Sequence, residues 1–361
     1  MTPRPTPRIN RAIIQSEHGG TLTQTFAREV PSPGPNQVLV RTAAVALNPS
    51  DWKMLSACPC PGAGCGSDYA GRVVRLGSCV THLAQGDRVS GAVHANNPVD
   101  PSSGAYAEYS AVDASQLWKI PDAMPWTDAA AIGLCCIGTV GMAAWRNLEL
   151  PGTPEEPSSK SEFVFVHGGN TANGTMAIQL LKLSGFRVLA SCSPHNFKLV
   201  EDFGAEKAFD YTSPTAAEDI RAYTANSLEY VMDIIADAKS LKLCYAAMGR
   251  AGGRYVGFEF VPDELAALRK TIKASWVLGI RLTGGEIVLD KGYGYPANAE
   301  LRDWGRRLFR RVESWVREGK IRPHPSVVHE YGLDGIIDGV ERLRRREVSG
   351  CKLVYVIDRH A

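Results

Sequence analysis

The chain has 361 residues, of which 44% are hydrophobic, 22% charged and 8% aromatic. At roughly 150 residues per domain that length predicts about two domains with a sizeable core, which excludes a peptide hormone, a staple-dependent miniprotein or wholesale disorder. Forty Lys and Arg against 38 Asp and Glu leave a formal charge of +2, too weak a field to argue for nucleic acid or a membrane as partner.

In chain order, residues 1–10 carry Arg4, Arg8 and three prolines without an apolar stretch, and read as a frayed tail rather than a signal peptide. From Gln37 to Pro121, short β segments (VLVRTAAVAL, GRVVRLG, DRVSGAV, AYAEYSAV) alternate with Gly and Pro, which predicts a compact, mostly β unit. The uncharged run Ala129–Trp145 approaches a membrane span in length but contains Gly133, Gly138, Thr139 and Gly141, and reads as a buried helix. A polar, Pro-rich connector occupies Leu150–Glu162. Beyond it, apolar runs at Phe163–His167, Phe186–Ser191, Lys207–Tyr211, Tyr230–Ile235, Arg254–Phe258 and Trp276–Ile280 alternate with helical spacings at Gly174–Ser184, Ala216–Tyr223 and Lys239–Met248. That is the pattern of about six buried strands in a doubly wound parallel α/β sheet. An amphipathic helix near Asp303–Gly319 and a strand in KLVYVID close the chain. The nine cysteines are odd in number and thinly spread, which points to reduced thiols and a cytoplasmic protein.

Between the first apolar run and the first helix of the α/β segment lies HGGNTANGT, His167–Thr175. Its small residues suit a backbone turn that approaches a pyrophosphate at a helix N-terminus, although a G-x-G-x-x-G begun at Gly168 would need glycine at Asn170 and again at Asn173. The second run ends in CSPHNFK, Cys192–Lys198, without the acidic residue that holds a ribose 2′-hydroxyl. Ser193, His195, Asn196 and Lys198 instead supply donors suited to a 2′-phosphate, which favours NADPH. A simple helix cap at Ser193 is the plainer alternative.

Taken together, NPSDWKM (Asn48–Met54), GSDYAGRVVRLG (Gly66–Gly77), VTHLAQGDRV, Ile137–Thr139, GGNTANGT, SPHNF, FDY, GRAGG and SGCKLV resemble the medium-chain dehydrogenase/reductase superfamily. Within it they are similar to the trans-acting enoyl reductases of fungal polyketide biosynthesis, the lovastatin enoyl reductase type. The resemblance covers nearly the whole chain. It implies a GroES-like β-rich catalytic domain (1–160 and 290–361) joined to a Rossmann NADPH-binding domain (161–289).

By the same resemblance Ser50, Asp51, Trp52 and Lys53 edge the nicotinamide and its ribose, with Thr139 close by. Asn170, Thr171, Ala172 and Asn173 hold the pyrophosphate. Ser193, Pro194, His195, Asn196 and Tyr211 take the adenosine 2′-phosphate, and Gly257, Phe258, Val348 and Ser349 complete the cofactor site. Ile137, Gly138, Thr139, Val140 and Gly141, with Leu278, Gly279 and Ile280, are candidates to shape the acyl pocket, although tight helix packing explains small residues there as readily. Lys53 is the catalytic candidate, stabilising oxyanion charge or orienting the ribose; a surface lysine after a turn has the same local sequence. Tyr106 and Tyr109 are further possible donors or packing residues.

Zinc is expected to be absent. The ligand positions of the zinc-dependent relatives hold Asp51 and Ser67–Asp68, and Cys58, Cys60 and Cys65 lack a fourth ligand at suitable spacing. The expected activity is therefore NADPH-dependent, zinc-independent reduction of an α,β-unsaturated thioester on a polyketide synthase acyl carrier protein, by a monomer. A basic cluster, Arg306, Arg307, Arg310, Arg311, Arg342, Arg344, Arg345 and Arg346, is either a solvated helical face or a docking surface for that acidic carrier. A free-standing quinone or alkenal reductase and a non-catalytic NADPH-binding partner protein remain the alternatives.

Overall fold

A computed structural model describes residues 6–18, 20–359 and 361. The chain divides into two compact units: 1–135 with 280–318 and 322–361, and 136–279 with 319–321.

The first unit begins with a hairpin of β1 (Ile9–Gln15) and β2 (Leu22–Glu29), followed by β3 (Gln37–Ala46), α1 (Ser50–Ala57), β4 (Asp68–Leu76), β5 (Arg88–Ala92), β6 (Tyr109–Asp113), β7 (Leu117–Lys119) and α2 (Trp126–Ile132). Helix α3 (Leu134–Met142) runs across the division. The second unit contributes β8 (Phe163–His167), α4 (Ala172–Leu183), β9 (Arg187–Cys192), α5 (Phe197–Asp202), β10 (Lys207–Asp210), α6 (Ala216–Tyr223), β11 (Tyr230–Asp233), α7 (Ala238–Ala247), β12 (Gly253–Gly257), α8 (Asp263–Ala266) and β13 (Ile272–Trp276). The chain then returns to the first unit with α9 (Ala299–Arg317), β14 (Ser326–His329), α10 (Ile336–Arg344) and β15 (Lys352–Val356).

In the first unit one sheet runs β14-β15-β3-β4-β5-β7, with β6 also paired to β3. All its pairings are antiparallel except β14 with β15. Strand β3 is its spine, and every residue from Val38 to Ala46 except Arg41 is buried. Its core gathers Ile13, Val40, Val45, Tyr69, Val89, Tyr106, Ile336 and Tyr355. Helix α9 is capped by the Asn298 side chain, which accepts from Leu301 N at 2.8 Å. It buries Leu301, Leu308, Phe309, Val312 and Trp315 and leaves Arg307, Arg310 and Arg311 exposed, the stripe its helical period dictates.

The second unit is a six-stranded parallel sheet in the order β10-β9-β8-β11-β12-β13. That order reverses at β8, so the carboxyl end of β8 is the switch point where open α/β sheets bind ligands. Covered on both faces, its strands read as unbroken apolar runs, and Val164, Phe165 and Val166 are fully buried.

Three expectations need correction. Ile9 and Asn10 belong to β1 rather than to a frayed tail: Asn10 is buried, donates to Tyr109 O at 2.8 Å and accepts from Tyr109 N at 3.0 Å. Residues 1–5 of that expected tail lie outside the described residues. The sixth strand is Ile272–Trp276, not Trp276–Ile280, because β12 pairs from Gly253–Ile272 to Gly257–Trp276 and ends there. The expected single helix over Ala129–Trp145 is broken at Gly133, whose φ of +54° a residue with a Cβ rarely adopts. The stretch Trp126–Asn147 has the length and apolarity of a membrane span, and most of it is buried in the protein.

Candidate active site

In the first unit β3 ends at Ala46 and delivers Asn48 and Pro49 to the start of α1, which carries Ser50, Asp51, Trp52 and Lys53. Ser50 is exposed, Trp52 and Lys53 are half-buried, and Asp51 is 2% exposed. The Asp51 carboxyl accepts from Tyr106 OH at 2.5 Å and from Asn48 N at 2.6 Å. Burial pushes that carboxyl up to about 7; the two hydrogen bonds and the Lys352 charge oppose the rise, and the Asp68 charge adds to it. Tyr106 thus finds its partner in Asp51, whereas Tyr109 lies in β6, held to Asn10 through its backbone.

Beside this pair Asp68, Asn48 and Lys352 form a buried polar group that sequence reasoning missed. Lys352 Nζ lies 3.2 Å from Asp68 Oδ2 and donates to Asn48 Oδ1 at 2.8 Å. Asn48 Nδ2 donates to the same Asp68 oxygen at 2.8 Å, and Cys135 N donates to the other at 3.1 Å. His324 is buried, and burial together with the Lys352 charge drops its imidazole to about 3. His94 is also buried, its Nε2 without a hydrogen-bond partner, and burial lowers it to about 4. Val348, packed on the core, and the exposed Ser349 precede β15.

In the second unit the turn after β8 holds Gly168 at φ +79°. Thr171 caps α4, accepting from Gly174 N at 3.0 Å and donating to Gly168 O at 2.8 Å. Gly174 presses on the turn so closely that a Cβ there would stand 2.4 Å from Gly168 O. Gly174 therefore performs the close helix–turn packing that the glycine fingerprint requires. The first-turn amides of Ala172 and Asn173 have no intrahelical acceptor.

Register brings the expected phosphate residues together. Cys192 at the end of β9 pairs with Asp210 at the end of β10, which sets Ser193 beside Tyr211. Ser193 is half-buried, Pro194, His195 and Tyr211 are exposed, and Asn196 is buried with Nδ2 3.1 Å from His195 Nε2. The Tyr211 ring meets His167 edge-on at 5.8 Å, and His167 Nδ1 lies 2.7 Å from Ser191 Oγ. Lys198 pairs with Asp202 at 2.9 Å one helical turn on. Asp233, at the end of β11, is fully buried and accepts from Ser240 Oγ, Tyr255 OH, Ile235 N and Ala236 N at 2.6–3.1 Å, a second polar knot unseen in sequence.

Thr139 and Gly279 touch: a Cβ on Gly279 would lie 2.0 Å from Thr139 Oγ1. Ile137, Gly138, Val140 and Gly141 are buried, whereas Leu278 and Ile280 are half-buried. Gly257 is buried and Phe258 half-buried after β12. Within the basic cluster Arg306 pairs with Asp303, Arg344 with Glu341 and Arg345 with Glu347.

These residues fit a nicotinamide dinucleotide. In the second unit the turn after β8 leads into α4, whose first-turn amides are without intrahelical acceptors; in the first unit the buried indole N–H of Trp52 has no hydrogen-bond partner. They do not fit zinc. Among the described residues no three His, Cys, Asp or Glu side chains group to hold a metal ion. Asp68 already faces an ammonium, and burial raises the Cys58, Cys60 and Cys65 thiols away from the thiolate form.

Residues 34–122 match the alcohol dehydrogenase GroES-like domain and residues 172–285 the zinc-binding dehydrogenase domain. Trans-enoyl reductase mycC of Thermothelomyces thermophilus is 60% identical, over 97% of this chain and 98% of its own. Trans-enoyl reductase gkaC of Penicillium citrinum is 48% identical, over 97% and 98%. An alcohol dehydrogenase superfamily protein from Novosphingobium aromaticivorans superposes with a TM-score of 0.77 at 24% identity, over 97% of this chain and 100% of that one. The chain belongs to the trans-enoyl reductases, oxidoreductases of the medium-chain dehydrogenase/reductase superfamily that work with a nicotinamide cofactor.

Proposed function

We propose that this trans-enoyl reductase uses NADPH to reduce the α,β-unsaturated thioester of a polyketide intermediate held on the acyl carrier protein of a partner synthase. The relatedness along 97% of the chain carries the reaction. The choice of NADPH rests on the ends of β9 and β10, where Ser193, His195, Asn196 and Tyr211 gather with hydroxyl, imidazole and amide donors. In this reading residues 161–289 form the cofactor domain and residues 1–160 with 290–361 the catalytic domain. The protein works as a cytoplasmic monomer, consistent with nine cysteines that form no disulfide.

The nicotinamide, when bound, supplies a hydride to Cβ. The enolate so formed takes a proton at Cα, which completes the saturated thioester. The Ala172 and Asn173 amides and the dipole of α4 hold the pyrophosphate, with Thr171 fixing the turn. Gly257, Phe258, Val348 and Ser349 complete the cofactor site, with Ser50, Asp51 and Trp52 at the nicotinamide end. The Lys53 ammonium orients the ribose or meets the charge that develops on the thioester oxygen, an interaction of about 1.5–3 kcal/mol when charge-assisted. Thr139, with Gly279 against it, belongs to the acyl pocket.

The test is consumption of NADPH and of NADH with an enoyl pantetheine thioester, the product identified by mass. A saturated thioester with strong NADPH preference is expected. Equal use of both nucleotides would sink the 2′-phosphate site, and rapid quinone turnover without thioester reduction would replace the reading with a quinone reductase.

A further inference from the structure

Strands β15, β3 and β4 lie side by side, with Val354 opposite Ala46 and Ala46 opposite Asp68. Lys352 opens β15, Asp68 opens β4 and Asn48 follows β3 by two residues, so all three converge at one end of the sheet. They close a ring: Lys352 Nζ to Asn48 Oδ1 at 2.8 Å, Asn48 Nδ2 to Asp68 Oδ2 at 2.8 Å, and Asp68 Oδ2 to Lys352 Nζ at 3.2 Å. The lysine side chain is 3% exposed and the aspartate 0%. Gly133 lays its backbone against the same carboxylate, where a Cβ would stand 2.5 Å from Asp68 Oδ2.

Stability gives little reason for such a ring, since an apolar replacement of a buried ion pair is often as stable or more so. Its connection to α1 gives a better one. The main-chain N–H of Asn48, the residue that bridges the pair, donates to Asp51 Oδ2 at 2.6 Å at the start of the helix that carries Ser50 and Lys53.

We infer that the Lys352–Asn48–Asp68 ring is a positioning device for the reductase, fixing the Asn48–Asp51 turn that presents Ser50 and Lys53 to the nicotinamide end of the cofactor. Lys352 and Asp68 are positioning residues, and the inference rests on the proposed placement of α1 at the nicotinamide. The ring also acts on Asp51 electrostatically. The groups facing Asp51 are Tyr106, Asp68, Lys352, Cys65 and Cys135; the two thiols stay protonated through burial, leaving Lys352 and Asp68 as opposed charges.

The test uses the full-length protein with Lys352→Met, Asp68→Asn and the double variant. Thermal unfolding, NADPH affinity by nucleotide fluorescence, and the pH profile of kcat/KM on an enoyl pantetheine thioester are read for each. Each single variant should lose between about tenfold and a hundredfold in kcat/KM, the cost of a displacement of about 1 Å. The double variant should recover the melting temperature, having no unpaired charge, but not the rate. The inflection that Asp51 gives the profile should move to higher pH in Lys352→Met and to lower pH in Asp68→Asn, by about half a unit or more. A folded double variant with kcat/KM within twofold of the parent overturns the inference. If no charge-removing variant folds, Asn48→Ala, which leaves both charges in place and cuts only the link, is judged by the same threshold. Lys53→Ala and Ser50→Ala separate the two failures: if both keep parental nucleotide affinity and rate, the placement of α1 is wrong; if they lose function and the ring variants do not, only the positioning role fails.

Discussion

Gly174→Ala separates helix propensity from packing at the turn after β8, the proposed pyrophosphate site, because the two give opposite signs. Gly174 is the third residue of α4, where propensity alone has alanine stabilise the helix by about 1 kcal/mol. The added Cβ, however, would stand 2.4 Å from Gly168 O and 2.5 Å from both the carbonyl carbon and oxygen of Gly169. These are backbone atoms, and restoring ordinary contact requires the helix and the turn to part by about 1 Å. That movement breaks the Thr171 bonds to Gly174 N and Gly168 O. Overpacking of about 1–3 kcal/mol and a lost cap of about 1, less the propensity gain of about 1, leave a net destabilisation of roughly 1–3 kcal/mol. Because the same turn presents the Ala172 and Asn173 amides, NADPH should bind about tenfold more weakly, a change of about 1.4 kcal/mol. Thermal unfolding and a fluorescence titration with NADPH read the two effects. A variant that melts at or above the parent temperature with unchanged nucleotide affinity refutes both the packing argument and the assignment of α4 to the pyrophosphate.

Two other perturbations address the first unit. The Asp51 carboxyl stands at about 7 in the folded protein against a model-peptide value of 3.8, so the native state holds this proton more tightly than the unfolded chain does. Its contribution to stability is complete below the unfolded value and is lost as pH rises through 7, amounting to about 3 kcal/mol between about pH 5 and pH 8. Asp51→Asn should remove that slope, so the stability of the parent relative to the variant falls across the interval; a difference that stays flat shows that Asp51 does not titrate there. On α9, Arg307→Glu with Arg310→Glu reverses two exposed charges. It should slow reduction of a carrier-bound enoyl chain about tenfold, more at low salt, while sparing the pantetheine thioester, since exposed charge acts on encounter. Equal loss on both substrates rules out docking at this face.

The α/β sheet was legible because parallel strands covered on both faces read as unbroken apolar runs, as Phe163–His167 does. The turn after β8 was legible because Gly168 and Gly174 have backbone requirements that only glycine meets cheaply. Strand β13 was displaced because WVLGI is as apolar as a strand, and only the length of β12 ends the pairing at Trp276. The β1–β2 hairpin escaped because β2, LTQTFARE, has no buried residue and no apolar run. The ring at Asp68 was invisible for a different reason: its salt bridge joins residues 284 apart, and nothing local distinguishes Lys352 from the polar first residue of any strand. Asp233 likewise shows its role only when Ser240 and Tyr255 meet it.

The ring also explains the charge balance of the first unit. Asp51 and Asp68 share one buried neighbourhood with the Lys352 ammonium. Ionising both carboxyls would leave an uncompensated negative charge out of water, which low-dielectric surroundings penalise heavily. The hydrogen-bond partners of the two carboxyls differ. Asp68 takes the ammonium, the Asn48 amide and the Cys135 N–H, whereas Asp51 has one phenol and one backbone N–H, and it is Asp51 whose carboxyl burial drives up to about 7. Below about pH 7, where Asp51 holds its proton, the Asp68 carboxylate faces the Lys352 ammonium without a second buried anion beside it. A divalent cation placed here would face the Lys352 ammonium, which already lies 3.2 Å from Asp68 Oδ2, so the same buried charges that raise the Asp51 carboxyl make this neighbourhood a poor host for zinc.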